Sequence, residues 1–471
     1  MPSIPSVGES TVCEINREYL TRKDDADRHA ESEYSKILGQ IFPVIPFDVK
    51  QAEENGKDAI PDDIPGREVK DFTPSNSDLI PHSNEGGLFT LLADGKLGSI
   101  SKQIIAARNL FSGSLSSLFR HKGSAGDVTN VQALSWHKHK LFLAFIANRD
   151  QVFALDFEEK SKDPYVLAGD SQKGVEAIAW RPNAGATLAV ACKGGICIWA
   201  ASYPGSIAPV RSGMISFLGT SSKPTGARWV LVDYFRYNGQ FPITTLSWSP
   251  CGKLLATACK EDSSFLVWDV ALGESTPLRR GLGGISLLSW SPTGDYLLSC
   301  NMNGIFHIWE TNTWTSEPWS STGSYVVSAM WSPDARVLLC AFNQTTTLGA
   351  LHFAGRPPSL DVHLLPLELP EIDAITGGEG SIEKMAWDGT GERLAVSYTG
   401  GDGINAGLLA IYDTRQAPIL TASLLGFVRG PGVAAKPLAF AFHSKLRQGA
   451  LLAVCWSTGY CCIYPMLFRT Y

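Results

Sequence analysis

Residues 243–270 read ITTLSWSPCGKLLATACKEDSSFLVWDV, and this stretch contains the pattern that decides the fold. An apolar strand ends in Trp248, Ser-Pro-Cys-Gly follows as a turn, a second apolar strand comes next, and a third strand ends near Trp268. Proline at the second turn position presets φ, and glycine at the fourth tolerates a positive φ, so the turn is tight. The stretch therefore predicts three consecutive antiparallel strands.

The same unit recurs along the chain. Its first strand ends in an aromatic residue seven times, at Trp136, Trp180, Trp248, Trp290, Trp331, Trp387 and Phe442. Successive members of this series, called here the signature aromatics, are 44, 68, 42, 41, 56 and 55 residues apart. The short intervals match the WD repeat of about 40–45 residues, and the long ones indicate loops inserted into that unit.

A small antiparallel sheet with two apolar faces cannot bury both faces alone, so such units pack side by side around an axis. The sequence therefore predicts an all-β fold, a seven-bladed WD-repeat β-propeller over 126–471. An N-terminal extension with short helices precedes it over 1–125. We expect the signature aromatics to fill the wedges between blades. Inserted segments are expected to project from the ring, where loops often carry recognition, at 200–229, 354–381 and 426–437.

The last unit lacks an outer strand, because its third strand ends near Tyr464 and only seven residues follow. We expect the N-terminal segment STVCEI at 10–15 to close the ring, with GLFTLL at 87–92 as the alternative. The uncharged stretch 449–468 has about the length of a membrane-spanning helix. Ser457-Thr458-Gly459 and Pro465 interrupt it, which favours a β-hairpin.

The start of the N-terminal extension is acidic. Residues 1–86 contain 18 Asp and Glu against nine Lys and Arg, a net charge of −9. A short helix is expected at 24–41, with acids in its first turn and an apolar edge. Residues 43–86 contain six prolines and are expected to form an extended acidic linker.

The end of the extension is basic and amphipathic. Residues 96–120 are expected to form a helix, and no acidic residue occurs between Asp94 and Asp127. Its candidate contact face consists of apolar residues at helical spacing, namely Ile100, Ile104, Phe111, Leu115 and Leu118. Such a helix packs on the propeller flank, enters a partner's groove or lies on an anionic membrane surface. The sequence leaves these three alternatives open.

Motifs that carry catalysis or bind cofactors are missing from the sequence. It contains no G-x-x-x-x-G-K-[ST] loop, no H-E-x-x-H and no G-x-S-x-G elbow. His137-Lys138-His139 occupies a repeat turn and is interpreted as a polar turn. Cys192 and Cys197 have no second cysteine pair at zinc spacing. We therefore expect a non-enzymatic protein with no cofactor and no metal site.

Charge and cysteine content restrict the protein's partners and compartment. The formal net charge of −6 argues against generic binding of nucleic acid. The ten cysteines are too few for a disulfide scaffold, and the N-terminus shows no secretory signal. A cytosolic or nuclear protein with reduced thiols is expected.

Several stretches together resemble the aladin family of WD-repeat nucleoporins. They are VEAIAWRPNAGATLAVACKGGICIW at 175–199, the stretch 243–270, HIWETNTWTSEPW at 307–319 and GALLAVCWSTG at 449–459. TVCEINREYL at 11–20 resembles the family's opening strand. The resemblance implies a scaffold of the nuclear pore complex at the nuclear envelope, bound to nuclear pore proteins and held by a transmembrane nucleoporin. It also implies a role in nuclear protein import, without direct nucleic-acid contact.

Two other classes of function are compatible with the repeats alone. One is another WD adaptor, such as a ubiquitin-ligase substrate receptor or a trafficking-coat component. The other is a propeller enzyme or small-ligand binder, which needs converging acid, base or metal groups at the central channel. Peripheral membrane contact through residues 96–120 is compatible with the nucleoporin interpretation.

Overall fold

A computed structural model describes most of the repeat region and two short N-terminal pieces. The described residues are 4–23, 45–46, 134–159, 164–203, 220–222, 227–237, 239, 241–321, 323–401, 403, 405–417, 419–432, 434–443, 446 and 448–469. The expected helices at 24–41 and 96–120 lie outside them, as does the alternative closing strand at 87–92. The expected linker at 43–86 is described only at Ile45 and Pro46.

The N-terminal pieces are strands. They are β1 (Glu9–Ile15), β2 (Glu18–Lys23) and β3 (Ile45–Pro46). β1 and β2 form an antiparallel hairpin whose turn residues Asn16 and Arg17 both have positive φ.

The first three repeat units form antiparallel sheets, in which successive strands pair except that β10 of blade 2 pairs with β12 and β11 lies outside β12. Blade 1 consists of β4 (Leu134–Trp136), β5 (Phe142–Asn148), β6 (Gln151–Asp156) and β7 (Tyr165–Leu167). Blade 2 consists of β8 (Ala177–Trp180), β9 (Thr187–Cys192), β10 (Gly195–Ser202), the edge strand β11 (Thr220–Ser222) and β12 (Arg228–Arg236). Blade 3 consists of β13 (Thr245–Trp248), β14 (Leu254–Ala258), β15 (Ser264–Asp269) and β16 (Glu274–Arg279).

The next three units repeat this arrangement, with one short helix between blades 5 and 6. Blade 4 consists of β17 (Ile285–Trp290), β18 (Tyr296–Asn301), β19 (Ile305–Glu310) and β20 (Thr315–Ser320). Blade 5 consists of β21 (Val326–Trp331), β22 (Val337–Phe342), β23 (Leu348–Phe353) and β24 (Val362–Leu367), followed by α1 (Pro370–Thr376). Blade 6 consists of β25 (Ser381–Trp387), β26 (Arg393–Thr399), β27 (Leu409–Arg415) and β28 (Thr421–Val428).

Blade 7 joins the two ends of the chain. It contains β29 (Pro437–His443), β30 (Gly449–Trp456) and β31 (Tyr460–Leu467). Residues 449–467 thus form the hairpin that the sequence predicts, and the described residues contain no helix long and apolar enough to cross a membrane. The outer edge of β31 pairs with β1, in parallel, and with β3, antiparallel. Residues 10–15, the expected closing segment, lie in β1.

The seven sheets form a closed ring, as predicted for a seven-bladed propeller. The first strand of each blade contacts the first strand of the next, and β29 of blade 7 contacts β4 of blade 1. Seven clusters of buried apolar side chains fill the spaces between sheets in the described part of the chain. Each cluster draws its residues from two adjacent blades, so every sheet buries both of its faces.

All three segments that were expected to project as insertions contribute residues to blades, the third through residues 426–428 at the end of β28. Residues 220–222 and 228–236 supply β11 and β12 of blade 2, and residues 362–367 supply β24 of blade 5. The reason is that an outer strand has a solvent-exposed face and lacks the continuous apolar run of an inner strand. In β24, for example, four successive residues from His363 to Pro366 are exposed.

Candidate functional site

The signature aromatics lie between the blades. Each belongs to the buried cluster shared by its own blade and the blade before it. Five of them, Trp180, Trp248, Trp290, Trp331 and Trp387, are at most 8% exposed, whereas Trp136 and Phe442 are half-buried. Because an indole buries a large apolar area and also carries an N–H group, its position bears on both packing and hydrogen bonding.

Four of these indoles form hydrogen bonds across blade boundaries. In each case the Nε1–H donates to the carbonyl of the residue just before the signature aromatic of the preceding blade. The pairs are Trp136 to Ala441 at 3.1 Å, Trp180 to Ser135 at 3.0 Å, Trp248 to Ala179 at 3.1 Å and Trp331 to Ser289 at 3.3 Å. A buried donor left without an acceptor costs roughly 1–3 kcal/mol, so these bonds favour one docking geometry between blades.

Two tryptophans depart from this rule. The Trp387 Nε1–H donates within its own blade, to Thr414 Oγ1 at 3.0 Å. Trp290 Nε1 has no hydrogen-bond partner among the described residues, and its ring packs edge-on against Trp314 at 6.0 Å between centroids. Trp314 reaches that position from a tight turn in which its φ is 55°. The run of tryptophans from Trp309 to Trp319 is thus accounted for by packing between blades.

In blades 3 to 6 the first residue of the repeat turn caps the turn with its side chain. Ser249 Oγ accepts the backbone N–H of Leu254 at 3.0 Å, and the equivalent bonds from Tyr296 to Ser291 and from Val337 to Ser332 measure 3.1 and 2.9 Å. In blade 6 Asp388 takes this role and accepts the N–H of Arg393 at 2.7 Å. These buried side chains satisfy backbone donors that the strands leave unpaired.

In blade 1 the capping residue is His137. Its Nδ1 accepts the backbone N–H groups of His139 and Lys140, both at 3.1 Å, and the side chain is 2% exposed. Burial lowers the pKa of His137, because the charged imidazolium is disfavoured inside the blade 1–blade 2 interface. His137 therefore holds the turn as a neutral acceptor, and the geometry supports the polar-turn interpretation.

The structure brings Cys192 and Cys197 together inside blade 2. Their Sγ atoms are 4.0 Å apart and both side chains are fully buried. The hydrogen-bond contact between the two thiols lowers the pKa of Cys192 and raises the pKa of Cys197. Cys461 and Cys462 point to opposite faces of β31, into the clusters toward blades 1 and 6. Among the described residues no group of three His, Cys, Asp or Glu side chains is placed to hold a metal ion.

The N-terminal hairpin lies across the seam between blades 6 and 7. The Thr11 N–H donates to Arg429 O, and the Arg429 N–H donates to Thr11 Oγ1, both at 3.0 Å. At the other end of β1 the Asn16 N–H donates to Leu467 O at 2.8 Å. β1 is therefore tied to the end of blade 6 and to the last strand of blade 7. Its hairpin partner β2 places Tyr19 against Gly426, where a Cβ atom would lie 2.6 Å from the tyrosine ring.

A buried ion triad, Glu14–Arg393–Asp413, lies under this hairpin. Arg393 Nη2 donates to Glu14 Oε1 at 2.8 Å, and Arg393 Nη1 donates to Asp413 Oδ1 at 2.7 Å. The side chains of Arg393 and Glu14 are 2% and 0% exposed, and the Phe468 ring covers the guanidinium at 4.0 Å. Burial disfavours the charged guanidinium, but the hydrogen bonds to Glu14 and the nearby carboxylates raise the pKa of Arg393 overall.

Sequence reasoning missed this triad, although one signal was present. At the position of Arg393 in the second strand, blades 3 to 5 carry the apolar residues Leu254, Tyr296 and Val337. A charged residue at a core position needs a buried counter-ion. Glu14, which supplies it, is 379 residues away in sequence, so no local pattern identifies it.

The predicted partner- or membrane-facing residues, Ile100, Ile104, Phe111, Leu115 and Leu118, lie outside the described residues. Their placement on a helix stays a prediction.

Comparison with known proteins identifies the family. A family model described as the Aladin seven-bladed propeller matches residues 124–467. The protein named Aladin from Arabidopsis thaliana is 48% identical over 474 residues, which covers 100% of this chain and 99% of that protein. A shorter match, 33% identical over 110 residues, covers 21% of this chain and 26% of Cell division cycle 20.6, cofactor of APC complex, from the same plant.

Solved structures share the fold at low sequence identity. The Cps50 (Swd1) β-propeller domain of Myceliophteria thermophila is 18% identical with a TM-score of 0.51, covering 73% of this chain and 98% of that one. A chain of the mitotic checkpoint complex is 14% identical with a TM-score of 0.51, covering 75% and 99%. Because the aladin match runs the full length of the chain, whereas the others reflect the propeller alone, this chain belongs to the aladin family of seven-bladed propellers.

Proposed function

We propose that this protein is a non-enzymatic scaffold nucleoporin, a WD-repeat platform in the nuclear pore complex that supports nuclear protein import. The observation that carries the proposal is the full-length match, at 48% identity, to a protein named Aladin. It extends beyond the repeats into the N-terminal hairpin, which is part of the closed disc.

The chemistry of the buried polar groups supports a scaffold. His137 caps a turn, the indoles of the signature tryptophans join blades, and the Glu14–Arg393–Asp413 triad fastens the closing strand. Each of these groups is used to hold the disc in one shape. A rigid disc with loops on two faces suits a protein that works by being bound.

The proposed location is the nuclear envelope, with nuclear pore proteins as partners and a transmembrane nucleoporin as the anchor. Direct contact with nucleic acid is not part of the proposal, in keeping with the net charge of −6. Residues 96–120 are the proposed contact with that partner or with the membrane surface.

Imaging and proximity labelling test the proposal together. A fluorescent tag at the native locus should mark the nuclear rim, and labelling from the intact protein should recover nuclear pore proteins. In a variant lacking residues 96–122 these neighbours should be lost if that segment is the anchor, with folding checked by an unchanged melting temperature. Diffuse cytosolic signal with ubiquitin-ligase subunits as neighbours would instead identify a WD adaptor of the other class and reject the proposal.

A further inference from the structure

Three of the seven blades protect their outer edge with a proline at the same register. Pro277 of β16 lies opposite Leu266, Pro318 of β20 opposite His307, and Pro366 of β24 opposite Gly349. These three third-strand residues occupy the same position in their blades. Each lies two residues before the third-strand residue Trp268, Trp309 or Leu351. Those residues in turn pair with the equivalent second-strand residues Leu255, Leu297 and Leu338. Proline has no N–H, so these edges cannot template a further strand.

Three other blades protect their edges in different ways. β11 covers β12 of blade 2 over Arg228–Val230, and the outer strand β7 of blade 1 has only three residues. In blade 7, β1 and β3 cover β31. Exposed strand edges promote aggregation, so natural sheets carry devices of this kind.

The outer strand of blade 6 is protected over only half of its length. Its second half is covered, because Tyr19 packs on Gly426 and Thr11 bonds Arg429. Its first half, Thr421–Leu424, contains neither proline nor charge, and no described strand pairs with its outer side. Thr421 and Ser423 are exposed, and Ile419, just before the strand, is 61% exposed. We call Thr421–Leu424 the open edge.

The register shows which amides of the open edge point outward. In blades 3 to 5 the prolines occupy positions whose backbone nitrogen points away from the blade. Pro277, for example, lies opposite Leu266 on the third strand, and the residue of blade 6 equivalent to Leu266 is Ala410. Outward amides recur opposite every second residue of an antiparallel neighbour, hence opposite Tyr412 and Thr414. These two residues pair with Leu424 and Ala422. Because the register shifts by one residue between Leu424 and Gly426, the outward series continues at Phe427, opposite Ala410, and at Arg429. The Arg429 N–H does bond a residue outside the blade, namely Thr11.

We propose that the open edge binds an extended, uncharged segment of a partner protein, which adds a strand to blade 6 through the backbone groups of Ala422 and Leu424. The partner is a strand because alternating N–H and C=O groups, with which no described strand pairs, are satisfied best by another extended backbone. It is uncharged because Thr421–Leu424 carries no charged side chain. The charges on the adjacent strand, Asp413 and Arg415, pair with each other, and Asp413 also pairs with Arg17. The added strand would lie on the same outer side of blade 6 on which β1 already forms hydrogen bonds with Arg429. The proposal does not depend on which assembly contains the disc.

The test substitution places a proline in the outer strand of blade 6, as the neighbouring blades have in theirs. Ala422→Pro removes one outward N–H while keeping the ladder with β27, as Pro277 and Pro318 do in their blades. Ala422→Val is the matched control, because it changes the side chain but keeps the N–H. Both variants are made in the full chain, and their melting temperatures show whether the blade itself is intact.

Two measurements decide the question. In the purified unmodified protein, the amides of Ala422 and Leu424 should exchange with solvent much faster than the inward amide of Ser423. In cells, a photo-crosslinking amino acid at position 423 should attach to residues at alternate positions of one segment in another protein, identified by mass spectrometry. That crosslink should be lost in Ala422→Pro and retained in Ala422→Val.

Other outcomes overturn the proposal. Slow exchange at Ala422 and Leu424 in the purified monomer would mean that the chain covers its own edge. Crosslinks to a second copy would identify a dimer contact instead. Crosslinks that persist in Ala422→Pro, or their complete absence, would show that no partner strand binds there. The exchange measurement uses the unmodified protein, so it stays decisive even if Ala422→Pro fails to fold.

Discussion

Removing the carboxylate of Glu14 should destabilise the propeller strongly, because it leaves a guanidinium buried without its main counter-ion. Arg393 and Glu14 are 2% and 0% exposed, with 2.8 Å between Nη2 and Oε1. Breaking a buried pair by removing one partner costs about 3–5 kcal/mol. We expect Glu14→Ala to lower the free energy of unfolding by that amount, with Asp413 retaining part of the interaction.

An exposed pair in the same protein provides the matched control. Lys173 Nζ lies 3.0 Å from Asp150 Oδ2, but these side chains are 63% and 43% exposed. Exposed pairs contribute roughly 0–1 kcal/mol, so Lys173→Ala should have little effect. The nitrogen–oxygen distances are similar in the two pairs, whereas their burial differs greatly.

Urea denaturation followed by tryptophan fluorescence measures both variants, with an unchanged m-value as the check that the same transition is observed. The double variant Glu14→Leu with Arg393→Met tests the cause, because it removes the unpaired guanidinium and should cost less than Glu14→Ala. A loss for Glu14→Ala no larger than that for Lys173→Ala would refute the argument that buried charge fastens the closing strand.

Four further predictions follow from the same contacts. Deleting residues 1–16 removes β1 and should lower the melting temperature; an unchanged value would mean that β1 does not close the ring. Burial lowers the pKa of His137 below 6.5, so the unfolded chain binds the proton more readily than the folded protein does. The free energy of unfolding should therefore fall as the pH drops below about 6.5. The variant His137→Ser, which has the serine of the neighbouring turns, should flatten this part of the stability–pH curve. Ala335 has a φ of 58° where sibling turns have glycine, so Ala335→Gly should stabilise the protein by up to about 1 kcal/mol in urea titrations, and a loss of stability would contradict the strain argument. Cys251 is the exposed member of the ten cysteines, so a thiol reagent should label one site rapidly in the native protein and none in Cys251→Ser.

Much of the fold was predictable because it repeats. Alternating apolar strands, the S-P-x-G turns and a regularly placed aromatic residue are local signals, and seven copies of them indicate seven blades. The positions of Trp180 and Trp248 between blades follow from the same reasoning, because a sheet with two apolar faces needs neighbours on both sides. Outer strands such as β12 and β24 were harder to predict, since half of their surface faces water.

What the sequence determined by itself was the kind of blade and the number of blades, because each blade is built from contacts between residues close together in the chain. Only the tertiary structure decided how the ring is fastened. β1 and β3 both pair with the outer edge of β31, β1 in parallel and β3 antiparallel. Glu14 forms its ion pair with Arg393, which is 379 residues away in the sequence. Pairing across such a distance depends on which surfaces the finished blades leave unpaired, and that information does not exist until the blades have formed.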